Sequence, residues 1–251
     1  MLSKSKIKLI NSLKSVKFRR QHGLFVVEGT TNIIDFLEAG LEIVNLYATS
    51  TWMSSNNQKV SNVSVTIVDK KDLKKISFLK HAPDVVGIYR IPDQKPFEIS
   101  QVTDIVLMLD DIRDPGNLGT IIRTADWFGI QNIICSNNSA DAYNPKVVQA
   151  SMGSLSRVSV YYMDLIPILK AKPEYLKVYA AVLDGESIID IPKPQKAIIL
   201  IGNEAHGISH ELLELVDQKL TIPLVVGENG RYAESLNASI ATAIICYEFR
   251  R

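Results

Sequence analysis

Leu109-Asp110-Asp111-Ile112-Arg113-Asp114-Pro115-Gly116-Asn117-Leu118-Gly119-Thr120-Ile121-Ile122-Arg123-Thr124-Ala125 reads as the end of a strand, a Pro-Gly turn and the start of a helix. Ile105–Leu109 is short and wholly apolar, the pattern of a strand covered on both faces. A helix is expected over Asn117–Phe128, with Arg123 roughly two turns past the turn. Ligands of open α/β sheets bind where strands end, so the position is a candidate site. The plain alternative makes Asn117 a helix N-cap and Arg123 half of a surface ion pair.

The same grammar repeats outward. Strands are expected at Ile133–Cys135, Val158–Tyr162, Val178–Leu183 and Ala197–Ile201, with helices at Pro145–Ala150 and Ser235–Arg250. Short apolar strands alternating with helices predict an α/β fold with a mostly parallel sheet. Towards the N-terminus, Leu24–Gly29, Ile43–Ala48, Val63–Val68 and Val85–Ile91 read as strands. Thr31–Ala39 and Asp69–Leu79 read as helices, and the Ser/Asn-rich Ser50–Asn57 as a loop. That is a small α/β domain over residues 1–92. Pro92 and Pro96 mark a linker over 93–103, and the second domain takes 104–251.

The chain has 251 residues, 46% hydrophobic and 22% charged, which fits one large or two small globular domains. Its apolar runs are about five residues long, against roughly 18–20 for a membrane helix, so no membrane role is expected. Cys135 and Cys246 are too few for a disulfide framework and, with no signal-peptide pattern, fit a reducing cytoplasm. A net charge of +1 hides an asymmetry: Lys4, Lys6, Lys8, Lys14, Lys17, Arg19 and Arg20 precede the first acid, Glu28. Ile7, Ile10, Leu13 and Val16 put one apolar stripe on a helix there. This basic helix could be a solvated face, a polyanion-binding face or an organelle transit peptide.

Two further segments follow strands. Ile201-Gly202-Asn203-Glu204-Ala205-His206-Gly207 brackets polar residues with glycines, and Gly202 would let a ligand approach the backbone. The plain reading is a turn before the next helix, with His206 a surface histidine. Leu220-Thr221-Ile222-Pro223-Leu224 leads through a polar loop to Ser235-Leu236-Asn237-Ala238-Ser239, where Ser235 and Asn237 are N-cap types. Helix-start amides there could equally line a ligand pocket. No G-x-G-x-x-G, Walker A, H-E-x-x-H or G-x-S-x-G signature is present, and the Asp110–Asp111 pair with Asp114 is a poor metal set.

Together the three segments resemble the motifs of the SpoU (TrmH) family of RNA 2′-O-ribose methyltransferases, of the SPOUT superfamily. The residues are Asp114-Pro115-Gly116-Asn117-Leu118-Gly119 with Arg123-Thr124-Ala125; Gly202-Asn203-Glu204 with Gly207; and Ile222-Pro223 with Ser235-Leu236-Asn237-Ala238-Ser239. The N-terminal domain also looks like the family's small RNA-binding domain. The resemblance implies a C-terminal α/β domain with a deep trefoil knot, S-adenosylmethionine as cofactor, homodimers and an RNA substrate. It carries cofactor contacts to Gly202, Ile222 and Leu236, with a further one near Leu183. It makes Arg123 the essential arginine, with Asn117, Glu204, Ser235 and Asn237 around it.

The extra N-terminal domain favours ribosomal RNA of the 23S type. Transfer RNA is the alternative target, and a catalytically inactive RNA-binding or ribosome-assembly protein is the alternative class. Intact Arg123, Glu204, Ser235 and Asn237 argue against an inactive copy. The stretch from Pro223 to Ser235 is several residues longer than the family pattern leads one to expect, which bears on access to the pocket.

Overall fold

The computed structural model describes residues 2–225 and 233–251. Two units emerge, one of Met1–Lys95 with Asp141–Arg157, the other of Pro96–Ala140 with Val158–Arg251. In the first, α1 (Lys4–Ser12) and α2 (Val16–His22) lead to β1 (Leu24–Glu28), α3 (Thr30–Glu38), β2 (Ile43–Ala48), α4 (Ser50–Asn56), β3 (Val65–Ile67), α5 (Lys70–Ile76) and β4 (Val85–Arg90). The sheet runs β1-β4-β2-β3, antiparallel except for the β2–β3 pair. Phe25, Phe36 and Tyr89, all fully buried, pack ring to ring at 5.5–5.9 Å.

Two expectations need correction here. The basic segment is not one helix but two, broken at Leu13–Ser15. Arg19, only 2% exposed, donates to the carbonyls of Leu13 (2.8 Å) and Lys14 (2.9 Å) and so satisfies the break. Ser50–Asn57 is helical rather than a loop. Thr49 caps α4 by accepting from Trp52 N (3.2 Å), and the buried Trp52 ring donates to Thr30 Oγ1 (2.8 Å). One tertiary anchor outweighs the weak helix propensity of Ser and Asn.

In the second unit β5 (Ile105–Leu109) feeds α6 (Pro115–Trp127) and β6 (Asn132–Cys135). The chain then supplies α7 (Pro145–Ser151) to the first unit, before β7 (Ser159–Tyr162), α8 (Leu165–Lys170), β8 (Lys177–Ser187), β9 (Ala197–Ile201), α9 (His210–Leu213), β10 (Gln218–Thr221) and α10 (Ala238–Arg250). All strands are parallel, in the order β10-β8-β9-β5-β6-β7. Every residue of β5 and β9 is buried, as their unbroken apolar runs require. The connection after β5 runs outward to β6 and that after β9 to β10, so the direction of winding reverses between two neighbouring strands. The carboxyl ends of β5 and β9 therefore frame the crevice where such sheets take ligands.

Pairing between β8 and β10 is irregular. Lys219 pairs with Ala180 and the next residue, Leu220, with Glu186, so Ala181–Gly185 have no counterpart on β10. A Cβ at Gly185 would stand 2.5 Å from the carbonyl carbon of Leu220, so only glycine admits the two chains so close. Asp141–Arg157, which falls inside the second domain by sequence, packs into the first unit. Tyr143 lies 4.8 Å from the Phe25 ring, and Asp141 pairs with Arg19.

Candidate active site

The crevice is assembled from the loops after β5, β6 and β9. Asp110 N donates to Ile201 O (2.9 Å), extending the ladder, and its carboxylate accepts from Ser209 N (2.9 Å). Asp111 then turns left-handed, at φ 56°, a costly conformation for a residue with a side chain. It is held there from two sides. Its N–H donates to Ser136 Oγ (2.8 Å), and its carbonyl accepts from Asn203 Nδ2 (2.8 Å). Ile112, fully buried, donates to Ser139 Oγ (3.2 Å) and accepts from Ala140 N (2.8 Å).

This strapped turn sets the start of α6. Asp114 is the N-cap, accepting from Asn117 N (2.8 Å), and Pro115 takes the first helical position. The plain alternative reading made Asn117 the cap. Because Asp114 does that work, the Asn117 side chain is free to bridge: its Nδ2 donates to Glu204 Oε1, and its Oδ1 accepts from Asn237 Nδ2 at 2.9 Å. Asn237 in turn caps α10, accepting from Ser239 N (3.0 Å), Ser239 Oγ (2.6 Å) and Ile240 N (3.4 Å). The terminal helix thus starts at Ala238, not Ser235. One polar chain joins Glu204, Asn117 and Asn237, and with them three segments far apart in sequence.

The other expected site residues stand outside that chain. Arg123 is exposed on α6, six residues or about 9 Å beyond Asn117, with no ion pair or hydrogen bond among the described residues. Ser235 is also exposed and without a partner among them, and His206 is exposed. The residues the sequence reading missed are Asn203, Ser136 and Ser139. A hydroxyl or amide bonded to a backbone group leaves no periodic signal; the Ser136-Asn137-Asn138-Ser139 run after a strand was the one hint.

The positions expected to contact the cofactor carry apolar side chains or none, and two of them are open. Leu183 is 76% and Leu236 47% exposed, and Ile222 is half-buried just beyond β10. Thr221 Oγ1 donates to Leu183 O at 3.2 Å, tying the end of β10 to the unpaired middle of β8. The backbone amides of Gly202, Ile222 and Leu236 have no partner among the described residues. Gly202 has a reason of its own: a Cβ there would stand 2.3 Å from Gly207 C, across a turn closed by paired Asn203–Gly207 bonds of 2.9 Å. Most of the long stretch after Pro223, residues 226–232, lies outside the described residues.

Thiol chemistry finds little footing here. Burial pushes the Cys135 thiol well up and Cys246 up to about 12. Asp110 and Asp114 spend their carboxylates on backbone amides, and Asp111 pairs with Arg113 Nε at 2.8 Å. Among the described residues no three His, Cys, Asp or Glu gather as a metal site.

Comparison with known proteins places this geometry. Residues 104–247 match the model of the SpoU rRNA Methylase family, and residues 4–87 that of an MRM3-like substrate binding domain. A TrmH-family structure from Porphyromonas gingivalis is 36% identical with a TM-score of 0.87, covering 100% of this chain and 98% of that one. An AdoMet-bound rRNA methyltransferase from Sinorhizobium meliloti is 30% identical with a TM-score of 0.84, over 100% and 95% of the two chains. The Bacillus subtilis 23S rRNA (guanosine(2553)-2′-O)-methyltransferase is 29% identical, over 98% of this chain and 96% of its own.

Proposed function

The chain belongs to the SpoU rRNA methylase family, and we propose how its own residues divide the work of that reaction. The protein is an S-adenosylmethionine-dependent methyltransferase acting on a ribose 2′-hydroxyl of ribosomal RNA. The observation that carries the assignment of roles is the Glu204–Asn117–Asn237 chain, which gathers all three motifs at the strand ends.

The amides of Gly202, Ile222 and Leu236, without partners among the described residues, and the open Leu183 and Leu236 side chains suit a ligand held by backbone bonds and apolar contact, and we assign the cofactor to them. When bound, S-adenosylmethionine supplies a methyl group on an activated sulfonium. The chain must then orient the hydroxyl and take its proton. A guanidinium offers a planar fork of donors and no acceptor, so Arg123 acts as a clamp on a substrate phosphate and the hydroxyl rather than as a base. Asn117 and Asn237 hold Glu204 in place. Glu204 Oε2, which has no partner among the described residues, is the acceptor we assign to the departing proton. Ser235, beside Leu236, completes the hydroxyl-binding group.

The finer readings extend from here. The target is of the 23S type, on the likeness to the Bacillus relative. The first unit grips RNA, supported by the match to a substrate-binding model and by exposed Lys4, Lys6, Lys8, Lys14, Lys17 and Arg20. The trefoil knot of the second unit is supported by its family likeness. The chain pairs as a homodimer through α6 and α10, where Trp127 is 83%, Ile240 51% and Tyr247 54% exposed. Sedimentation at the 27.9 kDa monomer mass at micromolar concentration would count against the dimer. Buried free cysteines support a cytoplasmic setting. No described helix is long and apolar enough to cross a membrane.

The experiment is in vitro methylation of unmodified 23S rRNA with methyl-labelled cofactor. Label should enter at a ribose, seen as resistance of one linkage to alkaline cleavage. Label on a base, or none, would overturn the assignment.

A further inference from the structure

The helix α2 divides its side chains sharply. Arg19 points inward, 2% exposed, and bonds to the Leu13 and Lys14 carbonyls and to Asp141 (Nε to Oδ2, 2.9 Å). It consumes the acid that approaches this corner and fixes the helix in place. Phe18 and His22, one turn apart, lie with ring planes 15° from parallel and centroids 6.3 Å apart. Phe18 keeps 36% of its surface exposed, and His22 is exposed. Lys14, Lys17 and Arg20 around them are exposed, and none has an ion pair among the described residues. No acid precedes Glu28 in the sequence. Glu28 itself is 5% exposed, accepting from Ser77 Oγ (2.5 Å) and Phe78 N (2.8 Å).

We propose that Phe18 and His22, framed by Lys14, Lys17 and Arg20, form a platform on which an unpaired base of the RNA substrate stacks. The proposal rests on the reading of the chain as an RNA methyltransferase and gives its first unit a specific grip. The cations meet the phosphates on either side of one nucleotide, while the ring meets the base. The base must be unpaired, because inside a helix both of its faces are already stacked. Every base has such a face, so the platform selects single-stranded geometry rather than sequence. A plain solvated helix would gain nothing from a phenyl ring held open among cations. The fixed corner also means that little ordering is needed when RNA arrives.

The test uses the full chain and a short single-stranded oligouridylate carrying one central 2-aminopurine, whose fluorescence is quenched by stacking. A second probe has an abasic site at that position. Binding is measured over a range of salt. Phe18→Ala should weaken binding to the first probe by about tenfold. It should also abolish quenching and leave the salt slope unchanged, whereas Phe18→Tyr should retain both affinity and quenching. Lys17→Gln should keep quenching and shallow the slope by about 0.7. The abasic probe should bind wild type and Phe18→Ala alike. Unaltered affinity and quenching in Phe18→Ala would overturn the platform while leaving the RNA-binding reading to the lysine variant. A wild-type chain that methylates rRNA but binds neither probe overturns the platform alone; one that does neither overturns both. Thermal melts confirm that the variants fold.

Discussion

The crevice at the ends of β5 and β9 and the corner between α1 and α2 use polar residues in opposite ways. In the crevice a set of polar side chains is spent on the chain itself: Ser136, Ser139 and Asn203 strap one turn, and Asn117 and Asn237 align one carboxylate. At the corner one cation, Arg19, is spent inward, and its neighbours are left to solvent. Catalysis depends on groups held before the substrate arrives, whereas affinity for a polyanion depends on charge at reach. Variants of the two regions should therefore fail differently, one in turnover and the other in stability or salt dependence.

The largest effect is expected where the corner behaves like the crevice. Asp141→Ala leaves the buried Arg19 guanidinium without its carboxylate and should cost about 3 kcal/mol in chemical denaturation. Replacing both partners by apolar residues should recover much of that loss. An Asp141→Ala chain as stable as wild type would erase the contrast between the inward and outward cations.

Next comes Arg123→Ala, expected to lower single-turnover methylation about 100-fold or more, with cofactor affinity and melting temperature little changed. Arg123→Lys should rescue poorly, since an ammonium lacks the planar fork. Near-wild-type methylation by Arg123→Ala would reduce it to a surface cation like those of the corner.

Smaller losses should separate holding a carboxylate from using it. If Glu204 takes the proton, Glu204→Gln should lower turnover more than Asn117→Ala, which only loosens it. Equal losses would mean that Glu204 merely props Asn117. In the corner, replacing Lys4, Lys8 and Lys14 by Gln should shallow the salt slope of RNA binding by about 2 and leave cofactor affinity alone.

The smallest expectation is a pH effect at the far end of the second unit. Arg250 donates to both oxygens of Asp104 at 2.7 and 2.9 Å, and that pair holds the Asp104 carboxyl below the usual carboxylate range. A lowered pKa stabilises the fold above the ordinary carboxylate pKa, and that contribution is lost as pH falls through the folded value. Arg250→Gln should flatten that part of the acid melting curve; an unchanged curve would assign the acid loss to other groups.

Legibility followed physical cause. β5 and β9 were read at their true ends, because strands buried on both faces must be apolar at every position. Helix starts were read less well. Asn117 is a good cap type by residue, but Asp114 with Pro115 holds that cap; of Ser235 and Asn237, both cap types, Asn237 caps α10. The α4 helix was invisible because Trp52 secures it from a distant part of the chain. For the site, resemblance supplied the residues, yet not how they meet. Nothing local to Asn117 reveals Glu204, 87 positions away, or Asn237, 120 away.

The return of Asp141–Arg157 to the first unit has a consequence for birth rather than for catalysis. Arg19 leaves the ribosome 122 residues ahead of the carboxylate it needs. At roughly 5–20 residues per second, that is a wait on the order of ten seconds. Until then the nascent unit carries an uncompensated arginine and a Phe25 ring still without Tyr143. The amino-terminal module cannot finish as an independent early product, nor be exchanged between proteins by a single cut near residue 95. A graft would have to carry its distant closing segment as well.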